Sequence, residues 1–566
     1  MSKISAALGS VTFSSGQTLL VNEGDKIILV GPNNSGKSRT LREIEQVARE
    51  GDGSRSIVVK DIKIIKKGNS EDLKEFLDES AAYKNSYYNY RDWVIHENSV
   101  KNWDKNYLRG EILGGFLKRI DAKTRLSICD QQSSIGPHDQ MSRPQHVLFQ
   151  DTPLMERIST LFKRAFSHDL MFDYRGGSVM PIHVGNKPSH EYSDRVGEEY
   201  VAAVRSNPLL DQQGDGMKSF AGILFETIAV HRDITLLDEP EAFLHPPQMR
   251  RLGEILASEM DGQLVVATHS SDIMRGFLEG TKGNVRVLRI RREGAMNFVS
   301  EAGPDVIKEL WSRPELKYSN ALESIFHEQA ILCEDDSDCR LFNAVADSVA
   351  PTNGEAWQDT AYIPVGGKHG VRKVAAVLRK IGVPIKAVFD IDFLSDEDLV
   401  KETVGAFGGE WNDHKALWKQ VDAAVRSGVR PKTPKEIARE LVELLDNWDD
   451  GRLPRSKITE MMKQTSAWNM VKKLGENGIP RGEARKNFEK LLRGLREIGI
   501  YVVPVGEIES FYPEMGKHGP QFVHELLSTV SLDSEKLKSL RDFTTLVHSG
   551  AHAPMPHDCT KEEVAA

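Results

Sequence analysis

The segment ILCEDDSDC, residues 331–339, turns from apolar to acidic between one residue and the next. Glu334, Asp335, Asp336 and Asp338 follow an apolar run at 330–333 that reads as a buried strand. Carboxylates crowded at such a strand end repel one another unless a cation neutralises them. A second acidic pair, in Asp390-Ile391-Asp392, closes the apolar run Ile385–Phe389, and Gly366-Gly367-Lys368 lies between the two. On an extended chain the two aspartates would point the same way. Hard divalent cations take oxygen ligands, and Mg2+ commonly combines a few carboxylates with substrate phosphate. Glu334, Asp390 and Asp392 are therefore candidate ligands for Mg2+ or Mn2+, held to activate water against a phosphodiester. Asp338 is a further candidate, as a water-mediated ligand or a helix cap. A solvated acidic rim is the competing reading.

Residues 26–38 carry a different chemistry. Gly31-Pro32-Asn33-Asn34-Ser35-Gly36-Lys37-Ser38 fits GxxxxGK[ST] at every fixed position, after an apolar strand pattern and before a helical one. The loop's N–H groups can cradle ATP phosphates, Lys37 can reach the β- and γ-phosphates, and Ser38 can sit on Mg2+. The apolar run 234–237 ends in Asp238-Glu239, where Asp238 would hold Mg2+ through water and Glu239 would orient or deprotonate the attacking water. His269, just past the run 264–267, can touch the γ-phosphate. Gly214-Asp215-Gly216-Met217-Lys218-Ser219 opens another helix pattern. Gly216 and Ser219 would there cap the γ-phosphate of a second subunit, which requires at least a homodimer.

Several elements must position these residues. At 566 residues the chain exceeds a single core. Strands alternate with helical patterns in both halves, which gives an α/β class with parallel sheets whose strand C-termini share one edge. The net charge of −9 excludes a global basic footprint, so any nucleic-acid surface is local. Four scattered cysteines and the lack of a long apolar leader or membrane-length run lead to the expectation of a cytoplasmic protein with no membrane partner.

In their order along residues 1–315, the first set of motifs resembles the ABC-type ATPases, in the branch that contains the SMC proteins. The resemblance implies two heads closing on two nucleotides. The segment 214–219 departs from the usual LSGGQ, and the family's glutamine is sought at Gln131 or Gln132, after an expected strand at 126–129, with Gln150 behind. The second set resembles a TOPRIM domain, with Glu334-Asp335 in place of the usual glutamate-glycine pair. An ABC-type head followed by TOPRIM resembles the OLD-family nucleases. That resemblance implies a P-loop ATPase domain at 1–318, a Rossmann-like TOPRIM domain at 326–515 with a helical insertion at about 397–495, and a C-terminal helical segment at 516–566. The implied function is ATP-regulated, metal-dependent endonuclease cleavage, with DNA favoured over RNA. Anti-phage defence, with or without a defence-system partner protein, is the implied setting. A switch or sensor that binds a partner without cutting, and a nuclease acting on RNA such as tRNA, are the alternatives.

Three features are left. From 452 to 496 basic residues outnumber acidic ones, with Trp468 and Phe488 interleaved, as in a phosphate-contact surface or a solvated helical face. A further strand pattern at 500–505 precedes Glu507 and Glu509; Glu509 is a candidate second-metal ligand and Lys517 a candidate neutraliser of transition-state charge. His548, His552, His557 and Cys559 fit no standard zinc spacing, and a lightly packed end is expected there.

Overall fold

The computed structural model describes residues 4–136, 141–188, 194–312, 320–353, 357, 359–428, 430–448, 451–463 and 466–555. Contacts divide the chain into two compact units, one reaching Trp311 and the other beginning at Ser312.

The first unit is built on a six-stranded sheet. Its order is Met296–Ala302, Arg286–Glu293, Lys26–Val30, Gln263–Ala267, Ile234–Asp238, Leu117–Ile120, and only the first pair is antiparallel. Both faces of the sheet are covered, so its strands read as continuous apolar runs: Ile28, Val30, Leu236, Leu237 and Val266 are all fully buried. The Gln263–Ala267 strand separates the phosphate-loop strand from the strand ending at Asp238. Residues 124–127 form a short helix instead of the expected strand, and the edge strand is Leu117–Ile120. The polar and charged residues Lys123, Thr124 and Arg125 interrupt the apolar run there, and the Asp121 carboxylate accepts from the N–H groups of Lys123 and Thr124, which favours a turn.

The second unit holds a four-stranded, wholly parallel sheet in the order Thr360–Pro364, Gln329–Cys333, Ile385–Phe389, Ile500–Val502. The crossovers include the helices Asp336–Asn353 and Lys368–Lys380. Among the described residues, six α-helices from Glu397–Ala406 to Glu483–Glu497 separate the third strand from the fourth. The chain then rejoins the sheet beside Ile385–Phe389, with Phe389 opposite Val502. The end of the described chain is packed rather than loose. His548 is buried with Nε2 2.6 Å from the Tyr362 hydroxyl, and the Ala553 N–H donates to the Ile385 carbonyl. His557 and Cys559 lie outside the described residues. Among those described, no helix is long and apolar enough to cross a membrane.

Candidate functional site

The phosphate loop leaves its strand through backbone that only certain residues adopt. Gly31 has φ 137°, Asn34 φ 61° and Gly36 φ 103°. A Cβ on Gly31 would lie 2.2 Å from the Ile290 carbonyl oxygen, so glycine is required by space as well as by φ. The Lys37 ammonium is nearly buried and donates to the carbonyls of Gly31 and Pro32 at 2.7 and 2.8 Å, folded back over the loop. Asp238 lies across from Ser38. Burial pushes its carboxyl up, against a hydrogen bond from the Ser38 hydroxyl that lowers it. Ser35 Oγ and Asp238 Oδ1 are buried without hydrogen-bond partners. An orphaned hydroxyl within the glycine-rich loop and an orphaned carboxylate oxygen at Asp238 fit a Mg2+–nucleotide, which would satisfy both. Within residues 31–38 Asn33 and Asn34 are the exposed members.

Glu239 follows Asp238 in the left-handed region, φ 46°. Its N–H donates to the Ala267 carbonyl at 2.9 Å and its carbonyl accepts from Arg125 at 2.7 Å. His269 is exposed at the end of the neighbouring strand, and its N–H donates to the Glu241 carboxylate at 2.6 Å. The helix Asp215–Leu224 begins at Gly214 as expected, but Ser219 does not face outward. It is fully buried, and its hydroxyl donates to the Ala242 carbonyl at 3.2 Å. Gly216 sits where a Cβ would lie 2.8 Å from the Phe243 carbonyl oxygen. In this geometry Gly216 and Ser219 let the helix approach its own chain at Phe243 and Ala242. The exposed residues of the segment are Gly214 and Asp215. Gln131 and Gln132 bond to Asp211 and to the Asp130 carbonyl, away from the phosphate loop's own contacts.

In the second unit Glu334 and Asp390 end the two central strands of the parallel sheet. The Asp390 N–H donates to Glu334 Oε1 at 3.2 Å. Asp392 joins them by a route that differs from the extended chain expected: Asp390 is extended, and Ile391–Ser395 is a 3-10 turn. The turn's tight rise brings Asp392 back toward the strand ends. Glu334, Asp390 and Asp392 can each offer an oxygen within 4.8 Å of the others. Burial, then the Asp392 charge, raises the Glu334 carboxyl, and burial also pushes Asp390 well up. Asp392 stays below the usual range, because Lys472 and Lys368 outweigh its burial.

These lysines are the counter-charge of the acidic edge. Lys472 Nζ lies 2.6 Å from Asp390, 3.3 Å from Asp392 and 3.9 Å from Glu507, and Lys368 Nζ lies 2.8 Å from Asp392. Lys368 follows the Gly-Gly turn visible in the sequence. Lys472 comes from the helical insertion, where its neighbours concealed it within a long basic run. The aromatic residues of that run are core: Trp468 is 2% and Phe488 0% exposed, so neither offers a stacking face. Arg481, Lys486, Lys490 and Arg493 remain exposed.

Glu507, Glu509 and His518 form a second group able to converge on a cation, although Glu509 Oε1 already accepts from the Gly519 N–H at 2.7 Å. Lys517 pairs with Glu525 instead of facing this group. Asp338 caps its own helix turn, accepting from the Asp335 N–H at 3.1 Å. Burial and the Asp335 charge raise its carboxyl to about 7. A carboxyl whose folded pKa exceeds its unfolded value stabilises the fold only while protonated, so that contribution is lost as pH rises from about 4 through about 7. In EDTA the urea midpoint of the protein should therefore fall between pH 5 and 8. Asp338→Asn should flatten that fall, by on the order of 2 kcal/mol at pH 8. An unchanged pH profile in the variant would show that Asp338 titrates normally.

Two family descriptions match this chain. "AAA domain, putative AbiEii toxin, Type IV TA system" matches residues 202–275, and "Overcoming lysogenization defect protein-like, TOPRIM domain" matches residues 325–392. The chain thus carries an ATPase domain followed by an OLD-like TOPRIM domain, matching an OLD-family ATPase–TOPRIM fusion. No curated protein matches it. Similar solved structures include the SMC head domain from Thermotoga maritima, 12% identical over 53% of this chain and 99% of that one, with a TM-score of 0.26. Another is the Smc head domain with an extended coiled coil bound to the C-terminal domain of ScpA derived from Pyrococcus furiosus, 12% identical over 53% of this chain and 97% of that one, TM-score 0.29. Likeness at that level carries no functional argument.

Proposed function

We propose that this chain is an ATP-regulated, divalent-metal-dependent endonuclease that cleaves nucleic-acid phosphodiesters, with DNA favoured, and that it serves bacterial anti-phage defence. One observation carries the reading: Glu334, Asp390 and Asp392 converge at the carboxyl edge of a parallel sheet, with ligand oxygens within 4.8 Å. Three half-buried carboxylates so placed suit Mg2+ or Mn2+, with Asp338 as a further ligand and Glu509 as a ligand for a second ion. Bound there, the ion would lower the pKa of a water and stabilise the leaving oxygen. The chain's own residues hold that geometry: the 3-10 turn aims Asp392, and the Asp390 N–H fixes Glu334. Lys368 and Lys472 stand where phosphate charge arrives. In the first unit residues 31–38 bind the ATP phosphates, Asp238 and Ser38 hold Mg2+, and Glu239 and His269 face the γ-phosphate. Closure of two heads makes the active form at least a homodimer. The defence setting rests on the OLD resemblance.

A second reading has its own support. Lys368 and Lys472 already neutralise the acidic edge without a metal, as in a switch or sensor that binds a partner and does not cut. Incubation with supercoiled plasmid, linear duplex and tRNA, in Mg2+, Mn2+ or EDTA and with or without ATP, separates the two. The nuclease reading expects scission that EDTA abolishes and ATP alters. Binding without scission in every condition favours the switch.

A further inference from the structure

The Arg125 guanidinium is fully buried in the first unit, yet no nucleotide motif includes it. It donates to three carbonyls of one turn: Asp238 at 3.2 Å, Glu239 at 2.7 Å and Ala242 at 3.4 Å. These carbonyls surround the backbone that presents Glu239, and that backbone is strained. Glu239 has φ 46° and Phe243 φ 73°, and non-glycine residues in this region cost about 1–3 kcal/mol unless their surroundings hold them. Burial pulls the guanidinium down to about 10, so it stays charged at neutral pH, faced by Glu241, Glu239 and Asp238.

The same turn is gripped from its other side. Ser219 donates to the Ala242 carbonyl that Arg125 also reaches. Gly222, one turn further along the helix Asp215–Leu224, leaves room for the Arg125 backbone; a Cβ there would lie 2.3 Å from the Arg125 carbonyl oxygen. Gly216 makes the equivalent approach to Phe243. The helix whose exposed N-terminal end is Gly214-Asp215 therefore rests directly on Arg125 and on the turn that Arg125 holds.

We propose that Arg125 is the positioning residue of the ATPase site, fixing the strained turn that aims the Glu239 carboxylate and transmitting to it the placement of the helix Asp215–Leu224. All three of its hydrogen bonds go to backbone carbonyls of this turn, so Arg125 acts through the turn that carries Glu239. The inference rests on Glu239 being the hydrolytic carboxylate.

The test compares ATP turnover and ATP affinity in the full chain for Arg125→Met, Arg125→Lys and Ser219→Ala, with Arg125→Met also made in a Glu239→Gln background. Arg125→Met should lower kcat about 100-fold with ATP affinity within about threefold, a split that marks lost transition-state interactions. Arg125→Lys should recover about a tenth of the wild-type rate, because one ammonium cannot reach all three carbonyls in the fork geometry of a guanidinium. Ser219→Ala, which removes one contact and keeps the guanidinium, should lower kcat about threefold to tenfold. In the Glu239→Gln background Arg125→Met should cost almost nothing more, because the group it positions is already disabled. Wild-type turnover in Arg125→Met, or a full additional 100-fold loss in the double variant, would overturn the proposal. Should Arg125→Met fail to fold, wild-type kcat in both Arg125→Lys and Ser219→Ala would overturn it equally. A wild-type protein that hydrolyses no ATP would instead refute the ATPase reading beneath it.

Discussion

Glu239→Gln is expected to cut ATP turnover by about 10²–10⁴-fold while leaving ATP bound, the range a positioned general base contributes. The substitution keeps shape and removes the negative charge and the ability to take a proton. The backbone of the turn stays tied to Ala267 and Arg125, so the phosphate loop and Asp238 keep their geometry. ATP that binds and is not hydrolysed should hold the heads together, so sedimentation with ATP should show at least a dimer at concentrations where the nucleotide-free protein dissociates. A variant that turns ATP over at the normal rate would place the base elsewhere, with His269 or Glu241 the next groups to examine.

The second large effect belongs to the other unit. Glu334→Ala should lower nucleic-acid cleavage by at least about 10³-fold, because the metal loses a ligand and unactivated water near neutral pH is a weak nucleophile. ATP turnover should stay within about twofold of wild type, since the phosphate loop and Glu334 belong to different units. The fold should survive in EDTA. Glu334 is pushed up by burial and by the Asp392 charge, so its removal relieves repulsion. The Asp390 N–H loses an acceptor, at a cost of about 1 kcal/mol. A melting temperature in EDTA within a few degrees of wild type, together with lost cleavage, assigns the effect to chemistry. A collapse of both activities would mean that the carboxylate is structural.

Much of both sites is legible because strand ends are. The strands Lys26–Val30, Ile385–Phe389 and Gln329–Cys333 are short, apolar and buried, and each stops where a glycine or carboxylate begins. Side-chain chemistry at such an edge follows from chain order. What stays hidden depends on residues far away in sequence. Lys472 is 82 positions from Asp390 and looks like any member of a basic run until a helix carries it to the sheet. Arg125 bonds only to backbone carbonyls, and Glu241 accepts from the His269 N–H and the Thr268 hydroxyl, contacts that leave no signature in sequence. Ser219 and Gly216 have the composition of a nucleotide-facing loop, yet helical periodicity turns them inward against Ala242 and Phe243. Trp468 and Phe488 were readable as stacking aromatics only because burial depends on the other helices of the insertion.

The central claim is that the edge formed by Glu334, Asp390 and Asp392 cuts nucleic acid through a bound divalent metal, separately from the ATPase. Its most direct test is strand scission by the Asp390→Ala, Asp392→Ala double variant beside wild type in Mg2+ and in Mn2+, with ATP turnover followed in the same reactions. Wild type should cut at least one of plasmid, linear duplex and tRNA. The double variant should cut none of them while hydrolysing ATP at the wild-type rate within about twofold. Undiminished cleavage by the double variant would contradict the account.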